Sequence, residues 1–327
     1  MPHALAIALS RRPHPAAARM LTARLVRLAL VVRSARVALL AAAVVLLGAP
    51  SAQAHHGEQR LQSWQYLTDK LVADGIPRRD VERAFRDRRV GTFDGVDYAL
   101  IVRESARSYR DFRSRNSLHA AARCRTRYDS HFRRAEREFG VDADVLAAIL
   151  YVETRCGLYT GNRVVLRQLA RLAMASEPRN VAKNIRRHKR EDEEGFTPAE
   201  IEKIARERAT YLHETFYPEV VATFQLARKV GFNPAGMRGS PAGAFGLPQF
   251  LPSSYLRFAQ DGNRNGRTSL FEAPDAIHSA ARFLQGHGWQ GGMGEADRRR
   301  VIWHYNRSDP YIDTILLVAA KIPQHRR

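Results

Sequence analysis

The sequence predicts a mainly α-helical protein with a small loop and β region, and three observations predict it. Between Glu58 and Val230 the apolar residues recur at helical spacing, with Gly75, Pro77, Gly140 and Gly195 marking stops and restarts. Within that span, Ala143 to Thr154 is apolar on every face, as a helix at the centre of a bundle is. From Gly231 to Arg267 the composition shifts to Gly, Pro, Ser and Asn, which suits loops, tight turns and at most a short strand pair.

In chain order, the first 54 residues hold seven arginines and no acidic residue. Arg33 and Arg36 precede the apolar run Val37 to Leu47, and Ala52-Gln53-Ala54 offers small residues for cleavage before His55, the pattern of a secretory signal. The run is shorter than the roughly 20 apolar residues that span a bilayer, and no cysteine directly follows it to carry a lipid. The expectation is a signal peptide over 1–54 cleaved after Ala54, leaving a soluble periplasmic chain with no transmembrane span. Translation could start at Met1 or at Met20.

Removing the signal lowers the formal net charge from +20 to about +13, a basic surface that favours anionic partners. An exported chain meets little nucleic acid. The arginines are also spread, from Arg103 to Arg137 and again at Arg298 to Arg300, rather than gathered on one recognition helix, so no nucleic-acid partner is expected. Cys124 and Cys156 would meet an oxidising compartment, where they either pair or remain buried thiols; spacing alone does not choose.

Helices are expected over Glu58 to Ala73, over Arg79 to Arg86 after Pro77, and in a long stretch from Tyr98 to Phe139 closed by Gly140. Asp142 is placed to cap Ala143 to Thr154. Val164 to Ala175 continues the helical pattern, His188 to Gly195 reads as a charged surface connector, and Pro198 to Val230 holds one or two helices. Pro274 to Leu284 and Tyr311 to Lys321 complete the chain. The expected organisation is an N-terminal helical region over 55–139 and a catalytic core over 140–325.

Glu153 comes at the end of the apolar helix, where a charge is costly unless it is used. Burial and the negative end of a helix both favour the protonated carboxyl, which suits a proton donor to a departing sugar oxygen. The plainer alternative is an ion pair with Arg155 or another arginine. Glycosidases of the usual kind need two carboxylates. No convincing second one is evident: Asp309 precedes a proline and Glu191 to Glu194 reads as solvated.

Asp261 to Glu272 matches a twelve-position calcium loop, with oxygen side chains at Asp261, Asn263 and Asn265, glycine at Gly266, Arg267 at the backbone-carbonyl position and Glu272 at the last. The alternative is an Asn/Gly-rich turn that needs no metal, which the positive Arg264 and Arg267 favour; with two asparagines for aspartates lowering the ligand charge, the expectation is Ca2+ bound weakly in a structural role. His213-Glu214 lacks the second histidine of a zinc protease, and Gly-x-Ser-x-Gly of a serine hydrolase is absent.

Three signatures now stand in order: Val152-Glu153-Thr154-Arg155, the glycine-rich run Gly239 to Ser254, and Tyr305-Asn306-Arg307-Ser308-Asp309-Pro310-Tyr311. Together they resemble the membrane-bound lytic murein transglycosylase B family, glycoside hydrolase family 103 of the lysozyme-like superfamily. The resemblance implies a lysozyme-like helical core and cleavage of the bond between N-acetylmuramic acid and N-acetylglucosamine in peptidoglycan strands, leaving 1,6-anhydro ends. It makes Glu153 acid and then base, and Ser240, Gln249, Tyr305 and Asn306 substrate contacts. It also adds a calcium loop at this place.

Beside it, the residues themselves suggest that Gly243 and Gly246 let backbone approach a ligand and that Gln249 offers a donor and an acceptor. Departures from the family are Cys156 for an aromatic residue, Arg282 for asparagine, and Pro241 and Pro248 in the glycine loop. The competing readings are a hydrolytic muramidase and a non-catalytic wall-binding protein.

Overall fold

A computed structural model describes residues 52–101, 104–191 and 195–325, so the expected export segment lies outside the described residues except at its end, where Ala52 opens the first helix. Trp64 divides the first expected helix into α1 (Ala52–Ser63) and α2 (Gln65–Ala73). Its ring is fully buried and its indole N–H donates to the Gly91 carbonyl at 2.8 Å. After Pro77 comes α3 (Arg78–Arg86).

The stretch from Tyr98 to Phe139 is not one helix. It resolves into a 3-10 helix (Ala106–Arg113), α4 (Arg115–Arg127) and α5 (Asp129–Phe139). Ser105 and Ser114 start the first two by accepting the backbone N–H groups of Arg107 and Ser117. Such serine caps compete with helix continuation, and the periodicity hid them.

The apolar helix is α6 (Ala143–Thr154), enclosed by α4, α5 and later helices of the core. Asp142 stands at its start but its side chain does not cap. It pairs with Arg298 at 3.3 Å, and Glu136 accepts the Ala143 N–H at 3.1 Å instead.

Next come β1 (Arg163–Val164), α7 (Val165–Ala173), α8 (Pro178–Glu191) and α9 (Pro198–Val230). The expected connector from His188 is corrected: α8 runs through it to Glu191. Val181, Ile185 and His188 share one buried face, and His188 meets the Tyr98 carbonyl at 2.8 Å. α9 is a single helix despite Pro218, begun by a Thr197/Glu200 capping box and ended by Gly231.

The glycine-rich region supplies β2 (Arg238–Gly239), antiparallel to β1, and α10 (Pro252–Phe258). The chain ends with α11 (Ala273–Gly286), α12 (Glu295–Tyr305) and α13 (Asp309–Lys321). Sequence patterning misses α12, because only Val301, Ile302 and Tyr305 are buried among its arginines. Cys124 and Cys156 form a disulfide with their Cα atoms 6.3 Å apart, tying the end of α4 to the turn after α6.

Candidate active site

The site is built at the C-terminal end of α6. Arg155 and Cys156 adopt left-handed backbone, φ 51° and 58°, which costs a residue with a side chain on the order of 1–2 kcal/mol each. Several contacts hold them there. The Arg155 N–H reaches the Tyr151 carbonyl at 2.8 Å and the Cys156 N–H reaches Leu150 at 3.0 Å, so two terminal carbonyls are satisfied. The Arg155 guanidinium donates to Ser117, Tyr151 and Asp111 and lies over the Phe112 ring, 4.3 Å from its centre. The disulfide fixes Cys156.

Thr154 joins this end to the glycine-rich loop. Its hydroxyl donates to the Leu247 carbonyl at 2.9 Å and accepts the Gly157 N–H at 2.9 Å. Glu153 is thereby set in a walled position. Arg155 turns away to Asp111, and among the described residues no arginine or lysine forms an ion pair with Glu153.

Its hydrogen bond is donated by the Tyr311 hydroxyl to Oε1 at 2.7 Å. Burial pushes the Glu153 carboxyl from its usual 4.5 up to about 8; the Tyr311 bond opposes the rise and the negative charge of Glu104 adds to it. Glu153 is therefore largely protonated at neutral pH, as a general acid must be.

Aromatic residues close the site. Tyr311 and Tyr305 are buried, and desolvation together with the charge of Glu153 pushes both phenols well above their usual range. The Tyr109 ring meets that of Tyr311 edge-on, with centroids 6.1 Å apart. Tyr109 donates to Glu104 Oε1, and Asn306 is its other hydrogen-bonding neighbour. Asn306 is almost fully buried, yet its Oδ1 has no hydrogen-bond partner among the described residues. A buried carbonyl oxygen left open is a place for a ligand hydroxyl or amide.

The remaining sequence candidates divide. Tyr305 is beside Glu153 electrostatically, but its hydroxyl donates to the Pro248 carbonyl at 2.6 Å and so also holds the loop. Gln249, in left-handed backbone at φ 49°, donates to the carbonyls of Gly246 and Thr160 at 2.9 and 3.3 Å. Ser240 accepts the Ala244 N–H at 3.2 Å, and no hydrogen bond among the described residues links it to Glu153.

The glycines act differently from the sequence reading. A Cβ at Gly243 would lie 2.4 Å from Leu169, and one at Gly246 2.5 Å from Leu270, so they bring the loop against the protein's own helix and turn. Arg282 is exposed and bonded to Gln285, away from the walls of the site. A cavity of about 1020 Å³ opens just beyond, lined by the disulfide, Arg155, Leu158, Leu247 and Phe271, but Glu153 is not in its wall.

Sequence reasoning missed Tyr311, Tyr109 and Glu104. The first was visible as the last residue of the third signature; the other two were hidden inside the supposed long helix. Glu104 is a carboxylate whose charge adds to the rise at Glu153. Asp309 instead pairs with Arg299 on the surface.

The loop from Asp261 to Glu272 closes on itself. Asp261 accepts the N–H groups of Asn265 and Gly266 at 3.1 and 2.8 Å, and the Asn263 amide donates to Glu272 at 2.9 Å. Fully buried Asp275 pins both limbs through the N–H groups of Gly262, Asn263 and Ser269. The loop's side-chain oxygens are thus engaged in hydrogen bonds within the loop, and no cluster of three or more His, Cys, Asp or Glu that could hold a metal ion occurs among the described residues.

Comparison with known proteins bears on this arrangement. The chain is 31% identical over 165 residues to membrane-bound lytic murein transglycosylase B of Escherichia coli, covering 50% of this chain and 37% of that protein. It thus spans little more than a third of the curated relative's length. Its fold resembles the Escherichia coli lytic transglycosylase Slt35 in complex with calcium, with a TM-score of 0.58 and 20% identity over 81% of this chain and 93% of that one.

It resembles equally SltB3 of Pseudomonas aeruginosa in complex with NAG-anhNAM-pentapeptide, with a TM-score of 0.58 and 18% identity over 82% of this chain and 81% of that one. The model of the transglycosylase SLT domain matches residues 59–298. With the helix that presents Glu153, the glycine loop and the Tyr305 turn all inside or bordering that match, the chain belongs to the transglycosylase SLT-domain family.

Proposed function

We propose that this chain is a lytic transglycosylase of peptidoglycan, cutting the β-1,4 bond between N-acetylmuramic acid and N-acetylglucosamine and leaving a 1,6-anhydro muramyl end. The observation that carries the reading is Glu153, a walled carboxyl raised to about 8 with no cationic partner. In its acid form Glu153 gives its proton to the glucosamine oxygen as the bond from that oxygen to the muramyl C1 breaks. As carboxylate it takes the proton from the muramyl C6 hydroxyl, whose oxygen bonds to C1; no water is consumed. Tyr311 steadies the carboxylate between the two steps, and the open Asn306 Oδ1 and the amide of Gln249 are proposed to meet sugar groups, with Ser240 and Tyr305 bordering them.

The segment over 55–139 is proposed to be more than a support, since Tyr109 reaches the site from it, while 140–325 holds the acid. Export and release into the periplasm remain the reading of the first 54 residues; no helix among the described residues is long and apolar enough to cross a membrane.

Purified sacculi digested with wild type and with Glu153→Gln test the activity. Mass spectrometry of anhydro muropeptides from wild type alone supports it. A hydrolytic second reading draws on Glu104, the added carboxylate, and would show as reducing ends from the same digest.

Calcium is proposed as a structural ion held by Asp261, Asn263, Asn265, the Arg267 carbonyl and Glu272. It would replace the loop's internal hydrogen bonds with ligation and stiffen the approach to α11. At ten times a millimolar dissociation constant, calcium should add about 1.4 kcal/mol, read as a rise in melting temperature that Glu272→Gln removes. Equal melting with calcium and with chelator would end this assignment.

A further inference from the structure

Glu104 is a carboxylate for which the proposed chemistry has no use. It lies just ahead of the 3-10 helix, its Oε1 accepts the Tyr109 hydroxyl, and its Oε2 is buried without any hydrogen-bond partner. A surface glutamate in a protein with this excess of arginine would find a guanidinium; Glu104 instead points inward and stays unpaired with any cation among the described residues. Its anchor, Tyr109, sets its ring edge-on against Tyr311, the same tyrosine that donates to Glu153. Two carboxyls are thus held on either side of a pair of touching tyrosines.

We propose that Glu104, fixed by the Tyr109 hydroxyl, is a positioning residue whose negative charge faces Glu153 and holds it in its acid form before substrate binds. This rests on the reading of Glu153 as the acid. A negative charge in a poorly solvated space raises the proton affinity of a neighbouring carboxyl, here Glu153.

The ionisable groups around Glu153 agree with that assignment. Tyr311 comes from α13, Tyr305 from α12, Tyr109 from the 3-10 helix and Glu104 from the segment before it. Cations on the neighbouring elements are occupied elsewhere: Arg125 of α4 by Asp129 and Asp144, Arg134 of α5 by His278 of α11, and Arg155 by Asp111. At the chain's end His325 packs on His119 of α4. Among the described residues, Glu104 is the charged side chain whose field bears on the acid.

The test measures the alkaline limb of the pH–rate profile on sacculi together with the carboxyl 13C titration of Glu153, assigned by its loss in Glu153→Gln. Glu104→Gln should move both to lower pH by about one unit, so that well above the limb the rate falls about tenfold more than at acid pH. Glu104→Asp, which keeps the charge, should hold both near their wild-type positions. Tyr109→Phe, which releases Glu104 without removing it, should shift the limb the same way and covers the case in which Glu104→Gln does not fold.

If wild type releases anhydro ends but neither Glu104→Gln nor Tyr109→Phe moves the limb or the titration, the assignment of Glu104 is overturned. If the titration moves while wild type leaves sacculi intact, the assignment of Glu104 holds and the proposed activity is what fails.

Discussion

Glu153 and Glu219 are both glutamates on helices, the first half-buried and the second buried, and both pushed above the usual carboxylate range chiefly by desolvation. Their surroundings then diverge. Glu219, in the middle of α9, accepts the Ser253 N–H at 3.0 Å and the Ser253 hydroxyl at 2.6 Å, and so completes the first turn of α10, which has no cap of its own. Glu153 receives one tyrosine hydrogen bond and faces a second carboxylate. Donors that replace water make a buried carboxylate a structural clamp; too few of them leave a proton donor. Residue type is the same, whereas the neighbours differ and so does the setting, a helix end for Glu153 and a helix interior for Glu219.

Replacing Glu153 with glutamine breaks the comparison most strongly. Activity should fall by roughly 10²–10⁴-fold, the range a general acid contributes. Stability should move the other way. The folded value is raised, so the unfolded chain releases the Glu153 proton near its usual 4.5 while the folded protein keeps it to about 8. Folding thus loses stability as pH rises through that window, and Glu153→Gln escapes the loss by about 4 kcal/mol at the upper end. Thermal melts of both proteins from pH 5 to 8.5 check it; parallel curves would show that Glu153 is ordinarily solvated.

At the other glutamate the signs reverse. Glu219→Ala leaves the Ser253 donors in a buried position and should cost about 1–3 kcal/mol of stability, measured by denaturant unfolding. The alkaline limb of the pH–rate profile should stay in place, because Glu219 sits in the scaffold and not beside the acid. A displaced limb would mean that the two glutamates are not separate devices.

The contrast also marks what the sequence makes legible. Glu153 stands out because α6 is apolar around it, and such a helix has only one place to go. The glycine run and the Tyr305 turn are read from spacing, and the short strand pair from composition. Glu104 and Tyr109 are invisible in this way, since they stand just ahead of and within a separate 3-10 helix, Ala106–Arg113, that periodicity merges into one long helix. His188 shows the same limit: among Arg186, Arg187, Lys189 and Arg190 it looks solvated, yet it falls on the buried face of α8. Gly243 and Gly246 were identifiable as close approaches, but which partner approaches is a tertiary fact, settled by Leu169 and Leu270.

The smallest expected effect is the most selective one. Tyr311→Phe removes the hydrogen bond that Glu153 accepts, and that bond favours the ionised carboxyl. Without it the acid form should persist to higher pH by about half a unit, the equivalent of a net hydrogen bond of about 0.7 kcal/mol. The direction is opposite to that expected for Glu104→Gln, so the double variant should bring the alkaline limb about halfway back, to roughly half a unit below its wild-type position, while remaining slower, having lost the donor that steadies the carboxylate after its proton has gone. A limb that moves to lower pH in Tyr311→Phe would mean that the tyrosine excludes water from Glu153 more than it donates to it. The donor count that separates Glu153 from Glu219 would then have to give way to solvent exclusion as the distinction between them.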